Sequence, residues 1–272
     1  MNIESIPSDI HLGGEYKNHK VFKKINELIQ FYDSLSFNVM SFCTSGTSAI
    51  TNIDTYLFSS LKGTLESIHD ILIKGRINDS YTLLRKYYDA TIIDVYVILY
   101  LDDHINVDNL IVKEVDDWIK GNKNPNFLKS RVVFKYIKDS DKVSVINELL
   151  NIDKRYDSIR VRCNDQTHYN LYWNLLLNDN EVYIKNRIQY LNTFEEDLDS
   201  IFILHFAYLF YINDHYMCSS DYRDSLEMGY EPDEDSQYWV ASFVQNIFNE
   251  IIKIKRPDIA AAIKAKTIMN LE

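Results

Sequence analysis

The sequence predicts an all-α protein, a bundle of long antiparallel helices with shorter decorating helices and a C-terminal helical extension. Only 7 Gly and 4 Pro stand among 272 residues, so tight turns and chain breaks are few. Apolar residues recur at three- and four-residue steps over long stretches, whereas the strict alternation of half-buried strands is scarce. With 46 % hydrophobic and 25 % charged residues, the chain has the composition of a globular protein that can bury a sizeable core. The pattern divides it into an N-terminal helix and linker over residues 1–48, a helical core over 49–218 and a helical extension over 219–272, packed on the core.

After a polar start, Val21, Phe22, Ile25, Leu28 and Ile29 form one stripe and predict an amphipathic helix from Lys17 to Tyr32. The hydroxyl-rich stretch Ser41–Ser48 suits a linker that ends in a helix cap. A long helix over Ala49–Lys74 is expected to stop at Gly75, and Asn78 or Asp79 to cap a second one running past Leu99 as its hairpin partner. Two short helices follow, near Leu110–Lys120 and Asn126–Ile137. Another opens at Ser140 or Asp141 and runs towards Arg162, and a helical pattern resumes at His168. Thr193 with Glu196 has the form of a capping box, starting a long helix to about Tyr216. Asp235 or Ser236 is expected to cap Gln237–Ile254, and Pro257 fits the first turn of a last helix.

The formal net charge is −11, which argues against a general nucleic-acid coat protein. The charge is uneven, since residues 120–138 carry Lys120, Lys123, Lys129, Arg131, Lys135 and Lys138 with no acid. Such a stretch is either a solvated face or a place to meet a phosphate backbone. Three cysteines, far apart and without a CxxC pair, suggest reduced thiols and neither a disulfide framework nor a zinc site. No metal or other cofactor is expected. His69-Asp70 is an isolated HD dipeptide without the further ligands of a metal phosphohydrolase. The N-terminus lacks a signal-peptide pattern, and the longest apolar run, Ile201–Ile212, is too short to span a bilayer, so a cytoplasmic protein without a membrane partner is expected.

Chemistry concentrates between Arg155 and Glu181, where the apolar period gives way to arginines, amides, a histidine and aromatic residues. Arg162 and His168 are separated by Cys163, Asn164, Asp165, Gln166 and Thr167, four of them cap and turn formers. On one continuous helix the six-residue step would leave the two about 120° apart. An interrupted or kinked helix turning both towards a common cavity is therefore expected. Arginine is a rigid anion clamp, and histidine is the side chain best matched to proton transfer near neutral pH. Asn164 and Asp165 would support them. Glu66, Arg85 and Asp89 on the preceding helices would either frame the same cavity or form ordinary ion pairs. Tyr169, Tyr172 and Trp173 could stack bases, although aromatic residues at helical spacing belong more often to a core.

The arrangement of an arginine, five residues and a histidine late in a helical bundle resembles the HEPN superfamily (higher eukaryotes and prokaryotes nucleotide-binding domains). The resemblance implies a metal-independent endoribonuclease, with Arg162 and His168 catalytic and contributed by both protomers of a homodimer. It also implies a toxin–antitoxin or phage-defence setting, with RNA as substrate and an antitoxin protein as a possible partner. Lys129, Arg131, Lys135 and Arg160 would then bind RNA. Cys163 follows the arginine where the family usually carries a polar residue, which here comes one place later as Asn164. The alternative is a non-catalytic helical binding or interaction protein that uses the same polar break.

Overall fold

The computed structural model describes residues 12–40, 53–122, 126–179 and 186–272. The chain folds as α1 (Gly13–Lys17), α2 (Lys20–Met40), α3 (Ile53–Leu72), α4 (Ile77–His104), α5 (Lys113–Ile119), α6 (Ser130–Asp139) and α7 (Ser144–Leu150). It continues through α8 (Arg155–Thr167), α9 (Tyr172–Leu176), α10 (Arg187–Ile212), α11 (Asp221–Glu227), α12 (Ser242–Ile247), α13 (Lys253–Lys255) and α14 (Pro257–Lys266). The described residues contain no strand, only isolated bridges between Asn106 and Asn109 and between Cys218 and Val240. The all-α class is as expected. The linker Ser41–Ser48, with Cys43, lies outside the described residues. Among the described residues no helix is long and apolar enough to cross a membrane.

Two compact units divide the chain. The first takes residues up to Gln30, Ser60–Ala90 and Lys154–Phe202. Its core is the inward stripe of each helix segment, including Val21, Ile25, Leu28, Leu65, Ile68, Leu84, Ile159, Leu191 and Leu198. Gly75 stops the chain after α3 with φ +79, a left-handed conformation that suits glycine. Its carbonyl is met by Arg187 Nη1 at 2.7 Å, which satisfies an acceptor the helix end leaves over. Asn78 does not cap α4, which begins at Ile77. Its buried amide donates instead to the backbone oxygen and the Oε1 of Gln166, each at 2.8 Å. The expected cap at Thr193 is also displaced. α10 already runs from Arg187, and Thr193 Oγ1 donates back to Gln189 O at 3.2 Å, as a hydroxyl inside a helix does.

The second unit takes Phe31–Ser59, Thr91–Asp153 and Ile203–Glu272. Phe31, Phe206 and Phe210 pack against one another in its core, Phe210 edge-on to both others and Phe206 and Phe210 with centroids 4.5 Å apart. The α10 segment ends at Ile212 instead of reaching Tyr216, and the expected helix from Gln237 starts at Ser242. Pro257 opens α14 as anticipated. A polar group set lies inside this apolar interior. His205 Nε2 meets Asp94 Oδ2 at 2.7 Å, and its Nδ1 meets the Tyr32 hydroxyl at 2.7 Å. A neutral imidazole donating to Asp94 and accepting from Tyr32 satisfies both contacts. Asp54 accepts a hydrogen bond from the Tyr216 hydroxyl, while its Oδ1 and that of Asp94 have no partner among the described residues.

Burial, followed by the charge of Asp94, pushes the Asp54 carboxyl up to about 7, against the opposing donation from Tyr216. An unfolded aspartate titrates near ~3.9. The stability that comes with protonating Asp54 is therefore full below about pH 4 and is lost as pH rises to about 7. Thermal unfolding should occur at a higher temperature near pH ~5.5 than near pH ~8, by about 2–4 °C for each kcal/mol involved. Asp54→Asn should flatten that dependence, and an unchanged slope would assign it to other groups.

Candidate functional site

The candidate site is built on α8, whose sequence offers little apolar surface. Only Tyr156, Ile159, Cys163 and Gln166 are buried, at three- and four-residue steps, so a cysteine and a glutamine take core positions. The helix is continuous through Thr167, and the expected break between Arg162 and His168 is not there. The break that does occur earlier, at Asn151–Lys154, falls inside the stretch expected to be one helix from Ser140. The polar residues after Arg162 stay in the helix, which ends only at His168. Tyr169 takes a left-handed conformation at φ +50, its N–H donates to Gln166 O at 3.4 Å, and Asn170 N–H donates to Asp165 O at 3.0 Å. This paired ending is the Schellman motif, with tyrosine where glycine is usual.

Arg162 points at α10. Its Nε and Nη2 donate to the two carboxylate oxygens of Asp197 at 2.8 and 2.6 Å, a bidentate fork. The Asp197 side chain is 4 % exposed and that of Arg162 40 %. Burial holds the Asp197 carboxyl above the usual range even though the guanidinium pulls it down. Beside this pair is a cavity of about 300 Å³, lined by Tyr81, Arg162, Asp165, Gln166, Trp173, Asn174, Asn186, Gln189 and Tyr190, among others. The Tyr81 ring packs edge-on to Phe194 with centroids 5.0 Å apart. Its buried hydroxyl has no hydrogen-bond partner among the described residues, and desolvation raises its pKa well above that of a free tyrosine.

The structure brings together only some of the residues singled out from the sequence. Asp165 lines the cavity with Arg162, but His168 does not. His168 caps α8, exposed, with its side chain making no hydrogen bond among the described residues. On a continuous helix it lies about 9 Å further along the axis and about 120° round from Arg162. Arg85 donates to Asp89 at 2.8 Å and to Asn164 Oδ1 at 3.1 Å. Glu66 is exposed and faces Lys62, away from the lining. Arg160 belongs to the first unit, whereas Lys129, Arg131 and Lys135 are exposed residues of the second. There Arg131 and Lys135 border an open groove with Tyr136 and Asp103. Tyr169, Tyr172 and Trp173 are 46, 72 and 50 % exposed, so they are not core. His69 packs edge-on against Phe22. Among the described residues no group of three His, Cys, Asp or Glu is placed to hold a metal ion. Cys163 is buried, and burial pushes its thiol up to about 12.

Asp197 and Tyr81 were not found from the sequence. The available signal was the run Glu195, Glu196, Asp197 and Asp199 within a helix whose apolar stripe is Leu191, Phe194, Leu198 and Ile201. Three of those acids, Glu195, Asp197 and Asp199, are buried. Fold and site together define an all-α protein with a polar, partly aromatic cavity beside a buried carboxylate paired with a partly exposed arginine. No family model matches this chain, and neither a curated protein nor a solved structure matches it.

Removing Arg162 leaves a shielded carboxylate without its cation. Arg162→Ala should lower stability by about 1–3 kcal/mol, visible in chemical denaturation. Replacing both partners by apolar residues, Arg162→Met with Asp197→Leu, should recover most of that loss. If the double variant is no more stable than Arg162→Ala, the pair is not the source of the effect.

Proposed function

We propose that the chain is a metal-independent endoribonuclease of HEPN type that works as a homodimer. The observation that carries this is the pair of unused groups at the two motif positions. Arg162 keeps Nη1 unbonded among the described residues, and His168 keeps its whole imidazole so, at an exposed helix end. Because His168 does not line the cavity of Arg162, a complete centre requires a second copy of the chain. The exposed apolar side chains of Val161, Leu171, Tyr172, Trp173 and Leu175 on the same stretch support such a contact. In the proposed reaction a neutral His168 takes the proton of an RNA 2′-hydroxyl, and that oxygen attacks the adjacent phosphorus. The P–O5′ bond breaks, and the departing oxygen takes a proton from the second copy's imidazolium. Arg162 Nη1 balances charge on the phosphate oxygens. The toxin–antitoxin or phage-defence setting and the antitoxin partner belong to the same proposal by resemblance alone, and the cytoplasm belongs to it through the N-terminus without a signal-peptide pattern.

A second reading, a non-catalytic binding protein, is favoured by one observation: two of the three Arg162 nitrogens are already spent on Asp197. Cleavage separates the two. The purified protein should cut RNA in EDTA, leave a 2′,3′-cyclic phosphate and a 5′-hydroxyl, and spare DNA. His168→Ala should slow cleavage by about 10²–10⁴-fold without changing helicity or melting. Wild type that cuts no RNA would decide for the binding protein.

A further inference from the structure

The cavity beside Arg162 has features the cleavage chemistry does not use. Tyr81 is among its lining residues, and its hydroxyl, in a residue only 1 % exposed, has no hydrogen-bond partner among the described residues. A buried donor left over in this way calls for a partner the chain does not supply, a water or a ligand group among them. Asp165 brings a carboxylate of which Oδ1 accepts from Asn170 at 2.7 Å, while Oδ2 makes no bond among the described residues. Asn174 is fixed by donating to the Asp165 main-chain oxygen at 2.9 Å, so this wall is already ordered. Trp173, half exposed, is an aromatic face on the lining.

Asp197 already takes up the charge of Arg162, and Asp165 adds a second carboxylate to the lining, so the Asp165 face suits a flat, neutral ring with N–H donors better than an anion. About 300 Å³ is at the lower end of ligand cavities, room for one nucleobase with its sugar. Among the four RNA bases, only guanine presents two adjacent N–H donors, N1–H and the 2-amino group, to one carboxylate. Its opposite edge offers the O6 and N7 acceptors, which suit a phenol or guanidinium donor. We propose that this cavity takes a single guanine base, held by Asp165 on its N1–H and 2-amino edge, by Tyr81 on an acceptor, and by stacking on Trp173. Taking RNA as the source of that base rests on the nuclease reading. The phosphates of the strand would remain at Arg162, whose side chain is 40 % exposed.

Calorimetric titration of the full chain with guanosine, inosine, adenosine, cytidine and uridine tests the assignment. Guanosine should bind at least about tenfold more tightly than adenosine, cytidine or uridine, the difference expected for one bidentate contact. Inosine, which lacks the 2-amino group, should fall between. Asp165→Asn should abolish the preference. Tyr81→Phe should weaken guanosine binding several-fold while the melting temperature holds or rises, whereas a tyrosine with no part in binding would leave the guanosine affinity unchanged. Equal binding of all nucleosides, no binding at millimolar concentration, or a preference that survives Asp165→Asn would overturn the proposal. In parallel, binding and cleavage of an oligouridylate with one internal guanosine are compared with those of plain oligouridylate. RNA cleavage without guanosine preference overturns the guanine site alone, and guanosine preference without cleavage overturns the nuclease alone. Preference for the free nucleoside with no difference between the two RNAs overturns RNA as the source of the base.

Discussion

A carboxylate carried into an apolar interior has to be answered there, because its desolvation costs several kcal/mol unless a cation or donors replace the lost water. α10 and α4 each bring such a group inward. In the first unit Asp197 takes both forks of Arg162, and in the second Asp94 takes the imidazole of His205, which in turn meets Tyr32. The local geometry follows from these commitments. α8 has to remain helical through Arg162 to deliver the guanidinium to Asp197. Its buried stripe admits Cys163 and Gln166 because Gln166 is satisfied by Asn78.

The end of α8 then determines what Arg162 and His168 can do. With the helix intact to Thr167, the two side chains leave it on different faces, and only Arg162 reaches the cavity. The left-handed turn at Tyr169 costs roughly 1–2 kcal/mol for a residue with a Cβ. It also brings the chain round so that Asn170 and Asn174 bond back to Asp165. One wall of the cavity is thus made by the same turn that leaves Tyr169 and Tyr172 exposed and Trp173 half exposed on the lining. Backbone strain and exposed aromatic residues coincide at this turn, next to a cavity that Tyr81 also lines.

Much of the helical order was legible in the sequence, because apolar spacing reports which face of a helix is buried. Gly75 and Pro257 stand where their backbone chemistry requires. Capping residues were less reliable. Thr193 and Asn78 look like caps, yet one bonds back within α10 and the other serves Gln166, since a polar side chain takes whichever partner the tertiary structure presents. The cluster Asn164–Thr167 looked like a turn for the same reason, and is helical.

The sequence by itself determined the all-α class, the succession of helices and the stretch where polar chemistry gathers, since these depend on local periodicity and on residue types. Only the tertiary structure decided that Arg162 belongs to Asp197, that His168 stands apart from it, and that Tyr81, distant in the chain, lines the same cavity. Those pairings join residues far apart in sequence. Helical position sets Glu196 opposite the apolar stripe and Asp197 at its flank, but which cation answers the buried Asp197 is decided only by the packing of α8 on α10.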